Sequence, residues 1–231
     1  MLTQAPHDMR SQAEAAVLVS APYSPRPALR GVPHLVGAIA ALAGAAWLLL
    51  IADSPTGYVG GAIFSASLLL LYWTSATYHR FAWRTALQRL LKRLDHAMIF
   101  VLIAGTYTPF CLDVSLAWGI PILSVVWGIA GAGVLMQIAW PDAPRWLNVG
   151  LYVGLGWVAV VGAPEVISQY MGSPLALLIL GGVLYTVGGV VYGARRPDPW
   201  PRVFGYHEVF HALVMAGSAV HYSSIALYVV S

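Results

Sequence analysis

Seven stretches of about 20 apolar residues recur along the chain, and they constrain its fold more than any other feature. They lie near residues 33–52, 57–79, 95–112, 116–139, 146–163, 173–193 and 207–229. A membrane hydrocarbon core about 30 Å thick is crossed by one helix of that length. Only 9% of the residues are charged and 59% are hydrophobic, which excludes an ordinary water-soluble domain. The sequence therefore predicts an all-α, polytopic membrane protein, a seven-transmembrane helix bundle.

The sequence predicts two parts of unequal size. Residues 1–32 contain Pro6, Pro22, Pro25 and Pro27 and no apolar core of the signal-peptide type, so we expect a mobile N-terminal tail. Residues 33–231 are expected to form the seven-transmembrane domain.

Proline and glycine predict local features of the helices. Pro109 is expected to kink or end the third span. Glycine-rich patterns in later spans predict close contacts between helix backbones. These patterns are Gly150-x-x-x-Gly154, Gly181-Gly182 and Gly188-Gly189.

Basic residues predict the orientation in the membrane. All twelve Lys and Arg residues fall in the tail or in the loops after the second, fourth and sixth predicted spans. The positive-inside rule then places the N-terminus in the cytoplasm and the C-terminus outside, which requires an odd number of spans. We expect a multi-pass protein of the cell inner (plasma) membrane. The basic loops are explained by this topology and by anionic lipid, and nothing in the sequence suggests nucleic acid as a partner.

Histidines predict a metal site at the cytoplasmic side. His207 and His211 are four residues apart, so both imidazoles face the same side of the last helix. His79 ends the second span and Asp95 begins the third, so all four groups are expected at one depth. Ionisable groups at membrane depth are costly unless they are paired or bound. Three neutral imidazoles and a water form a tetrahedral zinc set with one open position.

The H-x-x-x-H spacing alone leaves an alternative, because it also arises by chance and a histidine at a membrane edge can be an interfacial residue. The single cysteine, Cys111, excludes a site built from several thiolates and an intramolecular disulfide.

Other polar residues near these positions have competing interpretations. Ser75 lies one turn before His79 and could contact water or substrate, or bond to its own helix. His96 is interpreted as interfacial. Glu208 is expected to pair with Arg202 or to be solvated. His221 is expected to bond to a neighbouring helix, with a second polar site as the alternative.

Three motifs make the chain resemble the hemolysin III family of the progestin and adipoQ receptor superfamily, whose relatives include the alkaline ceramidases. The motifs are Ser75-x-x-x-His79, the run Leu94-Asp95-His96 to Gly105-Thr106-Tyr107-Thr108-Pro109, and His207-Glu208-Val209-Phe210-His211 continued to His221. The resemblance implies zinc held by His79, His207 and His211. It also implies Asp95 hydrogen-bonded to the water on the metal, and Ser75 nearby. Receptor members carry a large extramembrane domain, whereas this chain has a short tail, which argues against hormone binding.

Three functions remain compatible with the sequence. The first is a zinc-dependent hydrolase acting on a lipid amide or ester, in which Asp95 and Ser75 are the catalytic candidates and a membrane lipid is the substrate or ligand. The second is a receptor-like or regulatory membrane protein with a structural zinc. The third is a pore-forming or cytolytic protein. We rank it last because the outer halves of the predicted helices carry few polar residues.

Overall fold

The described part of the chain is almost entirely helical. The computed structural model describes residues 27–81, 85–162 and 164–230. The helices are α1 Val32–Ile51, α2 Pro55–Arg80, α3 Thr85–Asp113, α4 Leu116–Ala139, α5 Arg145–Gly162, α6 Pro164–Gln169, α7 Ser173–Ala194 and α8 Tyr206–Tyr228. Within the described residues, six helices are long and apolar enough to cross a membrane: α1, α2, α3, α4, α7 and α8. The predicted all-α, polytopic membrane protein is confirmed at this level.

The long helices form a closed ring. Neighbours in the chain pack against each other from α1 to α5, α5 packs against α7, α7 packs against α8, and α8 returns to α1. Helix α3 also contacts α5 and α8 across the ring. The arrangement brings the C-terminal end of α2 close to the N-terminal parts of α3 and α8, although these segments are far apart in sequence.

The helices turn apolar side chains outward as well as inward. Leu50, Leu135 and Trp146 are each at least 67% exposed, whereas polar side chains such as Gln137 and Ser67 are buried and hydrogen-bonded. An apolar surface of this kind is expected for a protein surrounded by lipid. Backbone polar groups in lipid must be satisfied within the protein, as they are in helices.

Helix α3 begins earlier than predicted. We expected a basic loop up to Arg93 and a third span beginning near residue 95, but α3 begins at Thr85. Arg89, Lys92 and Arg93 therefore extend from a helix, because long basic side chains can reach the aqueous boundary while the backbone stays helical. As a result, Asp95 has helical turns on both sides.

Pro109 does not end α3, which continues to Asp113. The proline instead lies at a close contact with α2, where a Cβ added at Gly60 would be 2.7 Å from the Pro109 Cα. A second glycine of this interface, Gly105, packs directly on the Ser67 side chain. Helices α2 and α3 are therefore held in one register.

The glycine pattern in the later helices was predicted only in part. A Cβ added at Gly150 or Gly154 would meet no atom of the described residues within 4 Å, so this pair does not mediate a contact between the described helices and that prediction is wrong. By contrast, a Cβ at Gly188 would lie 3.3 Å from the Leu213 Cβ, and one at Gly181 would overlap the His221 ring. The spacing of small residues identifies a face of a helix but not the partner of that face.

Two glycines of α4 allow a matched test of the packing. A Cβ at Gly133 would lie 2.5 Å from the Phe100 ring, whereas one at Gly131 would meet nothing within 4 Å. Phe100 is buried and packs edge-on against Tyr152 with ring centroids 4.7 Å apart, so it has little room to move. We expect Gly133→Ala to destabilise the protein by about 1–3 kcal/mol.

Gly131→Ala should be neutral or slightly stabilising, since alanine favours a helix by about 1 kcal/mol over glycine. Thermal unfolding in detergent measures both variants. Equal melting temperatures for the two would contradict the packing of α3 on α4.

Candidate metal centre

Three histidines from two helices converge at one end of the bundle. His79 lies in the last turn of α2, and His207 and His211 lie in the first turns of α8. One ring nitrogen from each of the three lies within 4.8 Å of the others. The closest pair is His79 Nε2 and His207 Nε2, at 3.1 Å. The structure thus brings together all three residues that the sequence selected as ligands.

This donor set fits a metal ion. Nitrogen ligands of a tetrahedral zinc ion lie about 2.0–2.1 Å from the metal, and therefore about 3.4 Å from each other. The 3.1 Å pair is close to that separation, and the 4.8 Å limit is within reach of modest side-chain rotation. His211 is 1% exposed, so its ring is removed from solvent. A cluster of imidazoles can alternatively share a proton between two nitrogens, as the 3.1 Å distance between His79 and His207 also allows.

Asp95 and Ser75 lie beside the histidines. The Asp95 Oδ2 is 3.6 Å from His79 Nε2, and the carboxylate is almost fully buried. Ser75 is completely buried one turn before His79, with its hydroxyl beside the Asp95 carboxylate. Within the described residues the Ser75 hydroxyl makes no well-formed hydrogen bond, so it does not bond to its own helix. Both residues therefore face the cluster of histidines rather than the lipid.

The histidines open into a cavity inside the ring of helices. Its volume is about 120 Å³, and it is partly open to the surroundings. Asp95, Ser75, His207 and His211 line one end of it. Most of the remaining wall is apolar, with contributions from Leu71, Ile99, Leu102, Val149, Trp157 and Val214. The arrangement places a small polar group of residues at the end of a long apolar chamber.

Two histidines considered from the sequence, His96 and His221, lie outside the cluster of three. His96 was interpreted as interfacial, but it is partly buried and lines the cavity. Its Nδ1 is buried and has no hydrogen-bond partner in the part of the chain that the structure describes. His221 lies deeper in α8, and its Nε2 donates to the Leu178 carbonyl of α7 at 3.1 Å. The predicted bond from His221 to a neighbouring helix is confirmed.

Glu208 has a different environment from the one predicted. It is fully buried, and its carboxylate contacts Arg30 Nε at 2.8 Å rather than Arg202. It also accepts a hydrogen bond from the backbone N–H of Gly205 at 2.9 Å, and so caps α8. A glutamate three residues after a helix N-cap is a capping signal that sequence reasoning could have used. Nothing in the sequence identified Arg30 as its partner.

Sequence reasoning also missed His34 in α1. Its ring stacks on that of His211, with centroids 3.7 Å apart and an angle of 9° between the planes. His34 was treated only as the start of an apolar run, because a contact between the first and last spans leaves no local pattern.

The chain is similar to known proteins over most of its length. A family model described as Haemolysin-III related matches residues 23–222. A Hemolysin-3 homolog of Bacillus subtilis is 30% identical over 203 residues, covering 86% of this chain and 92% of that protein. Hemolysin-3 of Bacillus cereus is 28% identical, covering 86% and 89%. The adiponectin receptor protein of Drosophila melanogaster is 29% identical, covering 84% of this chain but 48% of the receptor. The chain belongs to the haemolysin-III-related family, as its three sequence motifs indicated.

Proposed function

We propose that this protein is a zinc-dependent hydrolase of the inner (plasma) membrane that cleaves an amide or ester bond in a lipid at the cytoplasmic side. The observation that carries the proposal is the group of three imidazoles and one carboxylate at the polar end of a long apolar cavity. A purely structural metal site would not need a cavity of this kind beside it.

The topology is part of the proposal. We assign α5 as the seventh crossing helix, since its 18 residues span about 27 Å and it packs between α4 and α7 in the ring. Seven crossings put the two termini on opposite sides. The basic residues around α3, α5 and the loop before α8 then face the cytoplasm, and so do the histidines.

Zinc is the metal that the donor set favours. The set offers three neutral nitrogens, no thiolate and one carboxylate at a longer distance, which is the composition of catalytic zinc sites with one open position. When bound, zinc supplies a Lewis acid that polarises a carbonyl group and acidifies a water molecule.

Asp95 is the proton carrier in this proposal. Its carboxylate lies beside the histidines and can accept a proton from the attacking water as the water oxygen bonds to the carbonyl carbon. The same proton then passes to the nitrogen or oxygen of the leaving group when the amide or ester bond breaks. Ser75, whose buried hydroxyl lies next to Asp95, orients that carboxylate or the substrate carbonyl.

The cavity supports a lipid as substrate. Its walls are mostly apolar, like those of most small-molecule sites, and it is partly open to the surroundings. A lipid would place its acyl chain along the cavity and its amide or ester linkage beside the histidines. We therefore expect activity on long-chain acyl amides or esters and none on short soluble analogues.

A second candidate is a regulatory protein with a structural metal. The histidines come from α2 and α8, so a metal would tie together helices from opposite ends of the chain. A receptor is also among the similar proteins. A pore is less favoured, because the cavity wall is mainly apolar whereas a water-filled path needs polar groups along its length.

The metal can be tested with two histidine variants. We expect purified protein to hold about one zinc ion per chain, as a single set of three nitrogens allows. His211→Ala should lose the metal because it removes one of the three converging nitrogens. His96→Ala should retain it, since His96 lies outside the cluster. Metal analysis by mass spectrometry measures both variants, and equal zinc content would contradict the site.

Asp95→Asn separates a catalytic metal from a structural one. Asparagine keeps the size of the side chain but cannot accept the proton, so turnover should fall by roughly 10²-fold or more while zinc stays bound. The assay is metal-dependent hydrolysis in liposomes across ceramides, acyl-amines and phospholipids. Absence of hydrolysis by the wild type across this panel would favour the regulatory protein. Unchanged turnover in Asp95→Asn would remove Asp95 from the reaction.

A further inference from the structure

The first turn of α1 packs against α2 and α8, the helices that carry the three histidines. Gly31, the N-cap of α1, has φ = +76°, a conformation that side-chain-bearing residues rarely adopt. A Cβ at this position would lie 2.7 Å from the Cβ of His79. The backbone of α1 therefore begins in direct contact with one of the three histidines.

His34, at the start of α1, contacts a second of the three. Its ring lies parallel to that of His211, with centroids 3.7 Å apart, and Tyr72 packs near it at 5.1 Å. Gly37 makes room for Tyr72, since a Cβ there would be 3.2 Å from the tyrosine ring. His34 is 2% exposed, and neither of its ring nitrogens has a hydrogen-bond partner within the described residues.

The stacked geometry excludes His34 as a ligand of the same metal ion. An imidazole binds a metal through a lone pair in the plane of its ring. A metal in the plane of His211 would lie about one stacking distance, 3.7 Å, away from the plane of His34. The face of the His34 ring, rather than its nitrogens, is what contacts the metal centre.

Arg30 adds a third contact between the same turn and α8. Its Nε lies 2.8 Å from the fully buried Glu208 Oε1, and Glu208 directly follows His207. Backbone hydrogen bonds also hold the preceding residues, with Ala28 N donating to Arg202 O at 3.0 Å and Leu29 N donating to Val203 O at 3.1 Å. The turn is thus anchored on the segment that leads into α8.

We propose that Arg30, Gly31 and His34 form a brace that holds His79 and His211 in the orientation a metal ion requires, with His34 as the principal positioning residue. The inference rests on the proposed metal centre. Outer groups that orient metal ligands, as known for those that hydrogen-bond to them, typically change metal affinity by 10- to 100-fold when they are removed. The brace acts on metal retention and geometry, and it does not touch the substrate bond.

The test compares three variants in α1. His34→Ala removes the stacked ring, whereas His34→Phe keeps an aromatic face and removes only nitrogens that have no partner. Leu48→Ala is the matched control, because Leu48 is fully buried near the opposite end of the same helix. Zinc release to a chromogenic chelator is measured on the folded fraction from size-exclusion chromatography. The visible absorption of the cobalt-substituted proteins reports the ligand geometry.

We expect His34→Ala to release zinc at least about 10-fold faster and to alter the cobalt spectrum. His34→Phe should return both the rate of zinc release and the cobalt spectrum toward those of the wild type. Leu48→Ala should lower the melting temperature without changing zinc release.

If wild type holds metal and His34→Ala releases it at the wild-type rate, the brace is contradicted while the metal centre stands. If His34→Phe releases zinc as fast as His34→Ala, the ring nitrogens matter and the stacking role is wrong. Wild type without metal would contradict the metal centre itself, and the brace with it.

Discussion

Polar nitrogens buried inside an apolar bundle are costly unless they find partners, and this constraint shapes the end of the molecule that carries the three histidines. An unpaired polar or ionisable group in hydrocarbon costs several kcal/mol. His79, His207 and His211 meet this requirement by converging with Asp95, which fixes the relative positions of α2, α3 and α8. The same requirement explains why Glu208, although fully buried, is paired with both Arg30 and the start of α8.

The two walls of the cavity differ in how closely their helices pack. Helices α2 and α3 approach closely at Gly60 and Gly105, so the groups they carry toward the histidines are held in place. Helix α5 has open space beside Gly150 and Gly154 and packs less extensively than its neighbours. The cavity lies between these two walls. In the proposed hydrolase, the closely packed helices would hold the polar centre and the apolar cavity would accommodate the lipid.

Local patterns in the sequence predicted the helices and most of the centre, because hydrophobic length and the four-residue spacing of His207 and His211 are properties of one segment. Contacts between distant segments left no such pattern. His34 and Arg30 reach α8 across nearly the whole chain, so neither could be recognised from its neighbours. The early start of α3 was missed because charge was taken to mark a loop, whereas Lys92 and Arg93 extend from a helix.

In the proposed metal centre, three imidazoles hold one zinc ion and leave one position open. X-ray absorption at the zinc edge of the purified protein tests it directly. We expect three nitrogen neighbours at about 2.0 Å, the outer scattering pattern of imidazole rings and one additional oxygen. A shell made only of oxygen, or scattering from fewer than two imidazoles, would contradict the assignment of His79, His207 and His211 as ligands.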